Sequence, residues 1–385
     1  MPTTKLKNLI YLSLLPFCAP RCDPQPVTRI SGHPISQIRS IEKLYRKFHV
    51  LGSSTLLSDG NNDFSLILTD SSDPCHHAEE DTFFRVASIT KLATAVLTMH
   101  LHDQKIIDID HPVSSFFPHV LLNKCFERIT VRHLLSHTSG LTDPPDLESA
   151  LNKGISFPDL ISMHHETAPL DSFHYSNLGF GIIGCILESV FEQPVGKIFE
   201  DRLFSPLHMN ATIEGCKLDP EKIMPVTRIF PYHRGRDLIL TPLGSKPLLS
   251  PDPLRHYGHT AGSLYADIYA ILKLIRLLSD RKGSFLSSDS INEILKEHAA
   301  YGSLSPTLTY GLGLLRIDDP SLSDHMIYGH QGFAYGCADG AFWEDMTGRI
   351  MITLNGGCSE ARCGRLGSAN KAFLRWALKK ELPSW

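Results

Sequence analysis

The sequence predicts an α+β fold: a mixed antiparallel sheet flanked by terminal helices, with an all-helical region inserted. Three observations predict it. Strand-like segments occur near the start of the chain and again after residue 300, long apolar helical segments fill the middle, and an amphipathic helix lies at each end of this pattern. The α/β part is therefore drawn from about 36–100 and 300–385, and the helical insert from about 104–290.

The elements follow in order. "SQIRSIEKLYRKF" (36–48) places Ile38, Ile41, Leu44 and Phe48 on one side of a helix. "HVLGSSTLLSDGNNDFSLILTD" reads as two strands around the turn chemistry of Asp59, Gly60 and Asn61. Residues 89–103 form the strongest helix, with Leu92, Val96 and Met99 continuing its apolar face. In the insert, "ITVRHLLSHTSGL" holds a short helix ending near Gly140. "SNLGFGIIGCILESVFEQ" and "SLYADIYAILKLIRLLSD" are longer apolar helices. Residues 214–258, rich in Pro and Gly, read as irregular loops that shape substrate access. "LTYGLGLLRI", "HMIYGHQGF", "CADGAFWED" and "GRIMITLNGG" are β-rich, with a hairpin turn at Asp345–Gly348, and "GSANKAFLRWALKK" closes the chain as a helix.

Composition limits the function. The 385 residues are 42% hydrophobic and 20% charged, which is globular, and a net charge of −4 offers no basic field for nucleic acid. Lys5 and Lys7 precede the apolar run Leu9–Ala19, the pattern of a signal peptide over residues 1–24. The run is too short for a membrane span. The expectation is an exported protein, periplasmic or extracellular, or one membrane-associated through its N-terminus, with residues 25–385 as one domain and no stable span in the mature chain; an uncleaved amphipathic extension is the alternative reading of the N-terminus. Nine cysteines are dispersed without a C-x-x-C pair, which excludes zinc-ribbon and thioredoxin-like readings. Export permits disulfides, Cys358 and Cys363 being the nearest mature pair, while Cys185 falls in an apolar helical run and reads as core.

"FFRVASITKLATAVLTMHL" carries the first chemical signal. Ser88 and Lys91 stand three apart where an apolar helix begins, so the amine reaches the hydroxyl on one helix face. A lysine base must be neutral, and with a reference pKa of about 10.4 this costs roughly 4–5 kcal/mol at pH 7. Burial and a helix N-terminus both disfavour the ammonium. The serine N–H at the helix start is also placed to hold an oxyanion. The same spacing recurs at Ser40/Lys43, Ser279/Lys282 and Ser368/Lys371. The first lies in a charged helix and the second in a solvated turn, while Ser368 also opens a helix.

Two further motifs are weaker alone. Tyr175-Ser176-Asn177 is the only Tyr-x-Asn in the chain and precedes a buried helix; a phenol can relay a proton and an amide can bond both lysine and substrate. The plain alternative is Asn177 as a helix cap and Tyr175 as packing. His330-Gln331-Gly332 lies on a strand segment, where glycine permits close ligand approach and Phe333 offers a second backbone donor. A half-buried strand histidine is the alternative there.

Taken jointly, with "ITVRHLLSHTSGL", "DHPVSSFFP", "SPLHMNAT" and "AGSLYADI", these motifs resemble the serine β-lactamase-related hydrolases, near class C β-lactamases, DD-peptidases and esterases. The resemblance runs from about residue 36 to 378. It implies a β-lactamase/transpeptidase-like fold with the site between its two parts. It makes Ser88 the acylated nucleophile, Lys91 its basic partner and Tyr175 a second proton shuttle. Asn177, His330, Gly332 and Phe333 become substrate contacts, with Ser88 and Phe333 donating to the oxyanion. His330 stands where many relatives carry lysine, and Gln331 replaces a hydroxyl residue. Both departures favour a carboxypeptidase- or esterase-like activity over a true β-lactamase. The substrate expected is a D-amino-acid peptide, a short ester or a β-lactam-like molecule, with no cofactor and no metal. His133 and His137 have metal-compatible spacing, but no carboxylate completes a set. A binding protein or sensor that kept the fold and lost turnover is the alternative reading.

Overall fold

The computed structural model describes residues 29–30, 35–48, 50, 52–59, 64–69, 78–145, 147–163, 170–224, 227–229, 232–234, 246–301, 307–334, 337–357 and 366–379. The proposed signal peptide, Cys358 and Cys363 lie outside the described residues, as do residues 225–226, 230–231 and 235–245 of the 214–258 loop region. No single helix among the described residues is long and apolar enough to cross a membrane.

Among the described residues the main sheet has nine strands: β1 (Arg29–Ile30), β2 (Gly52–Ser58), β3 (Phe64–Thr69), β4 (Ala299–Ala300), β5 (Leu308–Tyr310), β6 (Leu315–Ile317), β7 (Ile327–Ala334), β8 (Cys337–Glu344) and β9 (Ile350–Gly356). Their spatial order is β1-β3-β2-β9-β8-β7-β6-β5-β4, antiparallel throughout. The joint between the two ends of the chain is the β2–β9 ladder, where Leu57 pairs with Met351 and Thr55 with Thr353. The hairpin at Asp345–Gly348 forms as expected, and Gly348 takes the left-handed conformation it requires (φ 67°). The β-rich segment "LTYGLGLLRI" folds as two short strands. The chain turns at Gly311, where a Cβ would lie 2.1 Å from the Ile294 carbonyl oxygen.

Both faces of this sheet are covered, so its strands are apolar at successive positions. Leu57, Ile67, Phe342 and Met351 face helices α1 (Ile35–Lys47) and α5 (Ser368–Leu378), meeting Ile41, Tyr45, Phe373 and Trp376. Leu56, Leu66, Ile350 and Ile352 join the larger core on the opposite side. That core contains α2 (Thr90–Asp103), α3 (Asn177–Phe191) and α4 (Ile268–Ser279). Cys185 is fully buried in it.

Three local features position the site. Ala87–Ile89 form a 3₁₀ turn that leads straight into α2, so Ser88 sits at the N-terminal end of that helix. Ala87 itself has φ 45°, a left-handed conformation that a non-glycine residue adopts at a cost of about 1–2 kcal/mol. It is held by hydrogen bonds on both sides, from Val86 N–H to Leu264 O (3.0 Å) and from Thr90 Oγ1 to Ala87 O (2.5 Å). The "ITVRHLLSHTSGL" helix is shorter than expected. It ends at Leu135, because His137 turns left-handed (φ 59°) and Thr138 N–H closes on His133 O.

Candidate active site

Lys91 is wholly buried, yet its Nζ meets oxygen from three segments. It lies 3.2 Å from Ser88 Oγ, 2.8 Å from Asn177 Oδ1 and 2.7 Å from the Ala261 carbonyl oxygen. The competing pairs have other partners. Lys371 bonds Asp319 Oδ2 at 2.7 Å, Lys282 lies beside Asp280, and Ser40 Oγ accepts the Trp376 indole N–H. Nζ also lies 4.8 Å from the centroid of the Tyr175 ring.

Asn177 is the first residue of α3; the cap is Ser176, whose Oγ accepts the Gly179 N–H at 3.0 Å. The side chain of Asn177 is therefore released from capping. Its orientation is set by Asp143, whose Oδ2 accepts Asn177 Nδ2 at 2.7 Å and thereby leaves Oδ1 toward Lys91. The same carboxylate accepts from Ser176 Oγ (3.0 Å), Asn177 N–H (2.9 Å) and Leu178 N–H (2.9 Å). Sequence reasoning missed Asp143. Its signal was position alone, two residues beyond "HTSGL" in a stretch of turn-forming prolines.

On the opposite wall, β7 runs past the nucleophile turn. A Cβ at Gly332 would lie 2.1 Å from Val86 O, so only glycine lets the strand approach this closely. His330 is brought to the cleft wall, but its ring is buried and both nitrogens are engaged. Nδ1–H donates to Gln331 O at 2.6 Å, which leaves Nε2 to accept the Tyr310 hydroxyl at 2.9 Å. Burial first, and the electrostatic influence of the neighbouring Lys91 second, pull its pKa down to about 3. It is thus a neutral imidazole at physiological pH. Gln331 points its side chain to the other side of the strand, where Oε1 accepts the Gly367 N–H at 2.9 Å. The ring of Phe333 packs toward Ala338 and Ala369.

These residues border one cleft of about 570 Å³. Ser88, Tyr175, Asn177, His330, Gln331 and Phe333 all line it, joined by Tyr257, Gly258, Ala261 and Gly262 from the end of the 214–258 region and beyond. Lys91 reaches it from behind, beneath Ser88. The charged side chains along the wall are Arg85 and Glu148. The remaining lining is mostly alanine, leucine and aromatic.

Known proteins share this architecture. A D-stereospecific amidohydrolase from Streptomyces sp. superposes with a TM-score of 0.69 over 90% of this chain and 99% of its own, at 23% identity. D-amino acid amidase from Ochrobactrum anthropi, complexed with D-phenylalanine, gives 0.70 over 89% and 97%, at 21% identity. At these identities the likeness is one of fold. In sequence, esterase EstB of Burkholderia gladioli is 26% identical over 328 residues, 71% of this chain and 81% of that one. Protein flp of Staphylococcus aureus (strain N315) is 28% identical over 197 residues, and the match spans only 39% of that protein's length. Residues 69–345 match the family model described as Beta-lactamase, and the chain belongs to that family.

Proposed function

We propose that this protein is a serine hydrolase that forms an acyl-enzyme on Ser88 from an amide or ester substrate. The observation that carries the proposal is the set of contacts at Lys91 Nζ. A neutral amine has two N–H donors and one lone pair. Asn177 Oδ1 and Ala261 O can only accept, so they take both donors. The lone pair is then left for Ser88 Oγ at 3.2 Å, the partner that can donate a proton.

Ser88 Oγ attacks the substrate carbonyl as Lys91 takes its proton. The oxyanion forms beside the N-terminal end of α2, where the Ser88 N–H, with that of Phe333, supplies the donors; losing one such donor typically costs about 3–4 kcal/mol. Tyr175, whose ring stands against Lys91, returns a proton to the leaving nitrogen or oxygen. Water then attacks the acyl carbonyl, with Tyr175 regaining its proton, and as the ester bond breaks Ser88 Oγ leaves with the proton that Lys91 had taken.

Within this chemistry an esterase- or amidase-like activity is favoured over β-lactam hydrolysis. The His330 imidazole is neutral and bonded to Tyr310, and the Gln331 amide is turned to Gly367, so neither is left to clamp a substrate carboxylate. The names of the relatives, an esterase and amidases, agree with that preference. The test is a panel of p-nitrophenyl esters, D-amino acid amides and nitrocefin, run with wild type and Ser88→Ala, together with intact-mass detection of fluorophosphonate labelling. Turnover and a single label, both abolished in Ser88→Ala, are expected. An unlabelled protein that binds these ligands without turnover would be a sensor instead.

A further inference from the structure

His133 and His137 stand four apart in the sequence, and the fold gives them separate surroundings. His133 caps its own helix through Thr130 and reaches Asp171 Oδ1 at 3.1 Å. His137 is buried behind the cleft. Its ring centroid lies 4.3 Å from that of Tyr175, tilted by 35°, and 4.9 Å from those of Phe180 and Tyr310. Its Nδ1 accepts the Ser176 N–H at 3.1 Å, and its carbonyl oxygen accepts the His174 N–H at 2.8 Å. One residue thus grips the main chain on both sides of Tyr175 and the face of its ring.

The tautomer follows from the geometry. Nδ1 must keep its lone pair for the Ser176 N–H, so the ring proton sits on Nε2, a buried atom with no hydrogen-bond partner among the described residues. An imidazolium would set two N–H groups against each other and break the anchor. Burial, then the proximity of Lys91 and His330, hold the group well below the usual histidine pKa, which keeps the anchor intact.

We propose that His137 is a positioning residue for Tyr175: its ring fixes the phenol and its Nδ1 fixes the Ser176 backbone, so that Tyr175 and Asn177 face Lys91 at set distances. The proposal rests on the reading of Tyr175 as a proton shuttle. Histidine combines a flat ring with an acceptor at the δ position. Asparagine keeps the acceptor without the ring and tolerates φ 59°, whereas phenylalanine keeps the ring without the acceptor.

The experiment is a double-mutant cycle with His137→Asn and Tyr175→Phe, with rates normalised to fluorophosphonate-titrated active sites so that partial unfolding does not enter. His137→Asn is expected to lower kcat on a p-nitrophenyl ester at least about tenfold with KM within about threefold. In the double variant the rate should stay within about twofold of Tyr175→Phe alone, because both changes remove one function. His137→Phe should fall further than His137→Asn, having lost the backbone anchor. Wild-type kcat in His137→Asn, or deficits that multiply in the double variant, would overturn the proposal while leaving Tyr175 catalytic. Wild-type kcat in Tyr175→Phe would overturn the reading of Tyr175 and this proposal with it.

Discussion

Lys91 Nζ and Asn177 Oδ1 lie 2.8 Å apart, a bond that ties the helix of the nucleophile to a helix that begins 86 residues later. The bond requires an oxygen that only accepts. Replacing it by the carboxylate of Asn177→Asp would hold Lys91 as an ammonium and set two carboxylates, residues 143 and 177, against each other. Acylation at neutral pH should fall by about 10²-fold. The burst phase of p-nitrophenol release measures it, and an unchanged burst rate would mean that Lys91 does not act as the base.

Asp143 collects four hydrogen bonds from three consecutive residues at the start of α3. In Asp143→Ala all four donors lose their acceptor. A stability loss of about 1–3 kcal/mol follows, together with a turnover loss larger than the unfolded fraction explains, since Asn177 is then free to rotate. Urea unfolding and initial rates on the same samples separate the two effects. Full activity per folded molecule would show that Asn177 holds its orientation unaided.

The contrast between Lys91 and Asp143 shows what the sequence could reveal. Ser-x-x-Lys is visible because one helical turn is a local geometry, and the decoy pairs fail for tertiary reasons the sequence hides, such as the Asp319 partner of Lys371. Asp143 is reached from α3 across 33–35 residues of chain, so its spacing carries no period. The Ala261 carbonyl at Lys91 is still less visible, since any residue supplies one. The sheet was legible where both ends of the chain alternate cleanly between two cores, as at Leu56 and Leu57. Less legible was the turn inside "LTYGLGLLRI", where the close approach of Gly311 to the Ile294 carbonyl separates two short strands.

Gly332 allows β7 to run against the nucleophile turn, and its missing side chain is the reason. In Gly332→Ala the new methyl group would sit 2.1 Å from Val86 O, so strand or turn must move. The expected cost is about 1–3 kcal/mol of stability, with kcat reduced because Ser88 follows the turn. Gly179→Ala is the control, since its added Cβ would meet neighbours at ordinary contact distances of 3.5 Å and more. If both variants match wild type in melting temperature and kcat, the close approach of β7 has no energetic consequence.

Acid should destabilise the fold through its buried imidazoles. His330 is held at about 3 and His137 well below 6.5, each chiefly by burial, so both stay neutral in the native state while their unfolded counterparts titrate near 6.5. For a depressed pKa of this kind, the stabilising contribution is complete above 6.5 and is lost as pH falls toward the native value. Asp339 acts in the opposite sense. Burial raises its pKa well above 3.8, so its contribution is complete below 3.8 and declines as pH rises toward its native value. Below about pH 6 the unfolded chain therefore binds extra protons at the two histidines and fewer at Asp339, and with two imidazoles set against one carboxyl the balance is stability lost on acidification. Urea midpoints at pH 7, 6 and 5, at constant m-value, should fall progressively, and His330→Gln should flatten the slope by removing one titrating group. A wild-type midpoint that does not move between pH 6 and 5 would mean that at least one of these imidazoles is protonated in the folded protein.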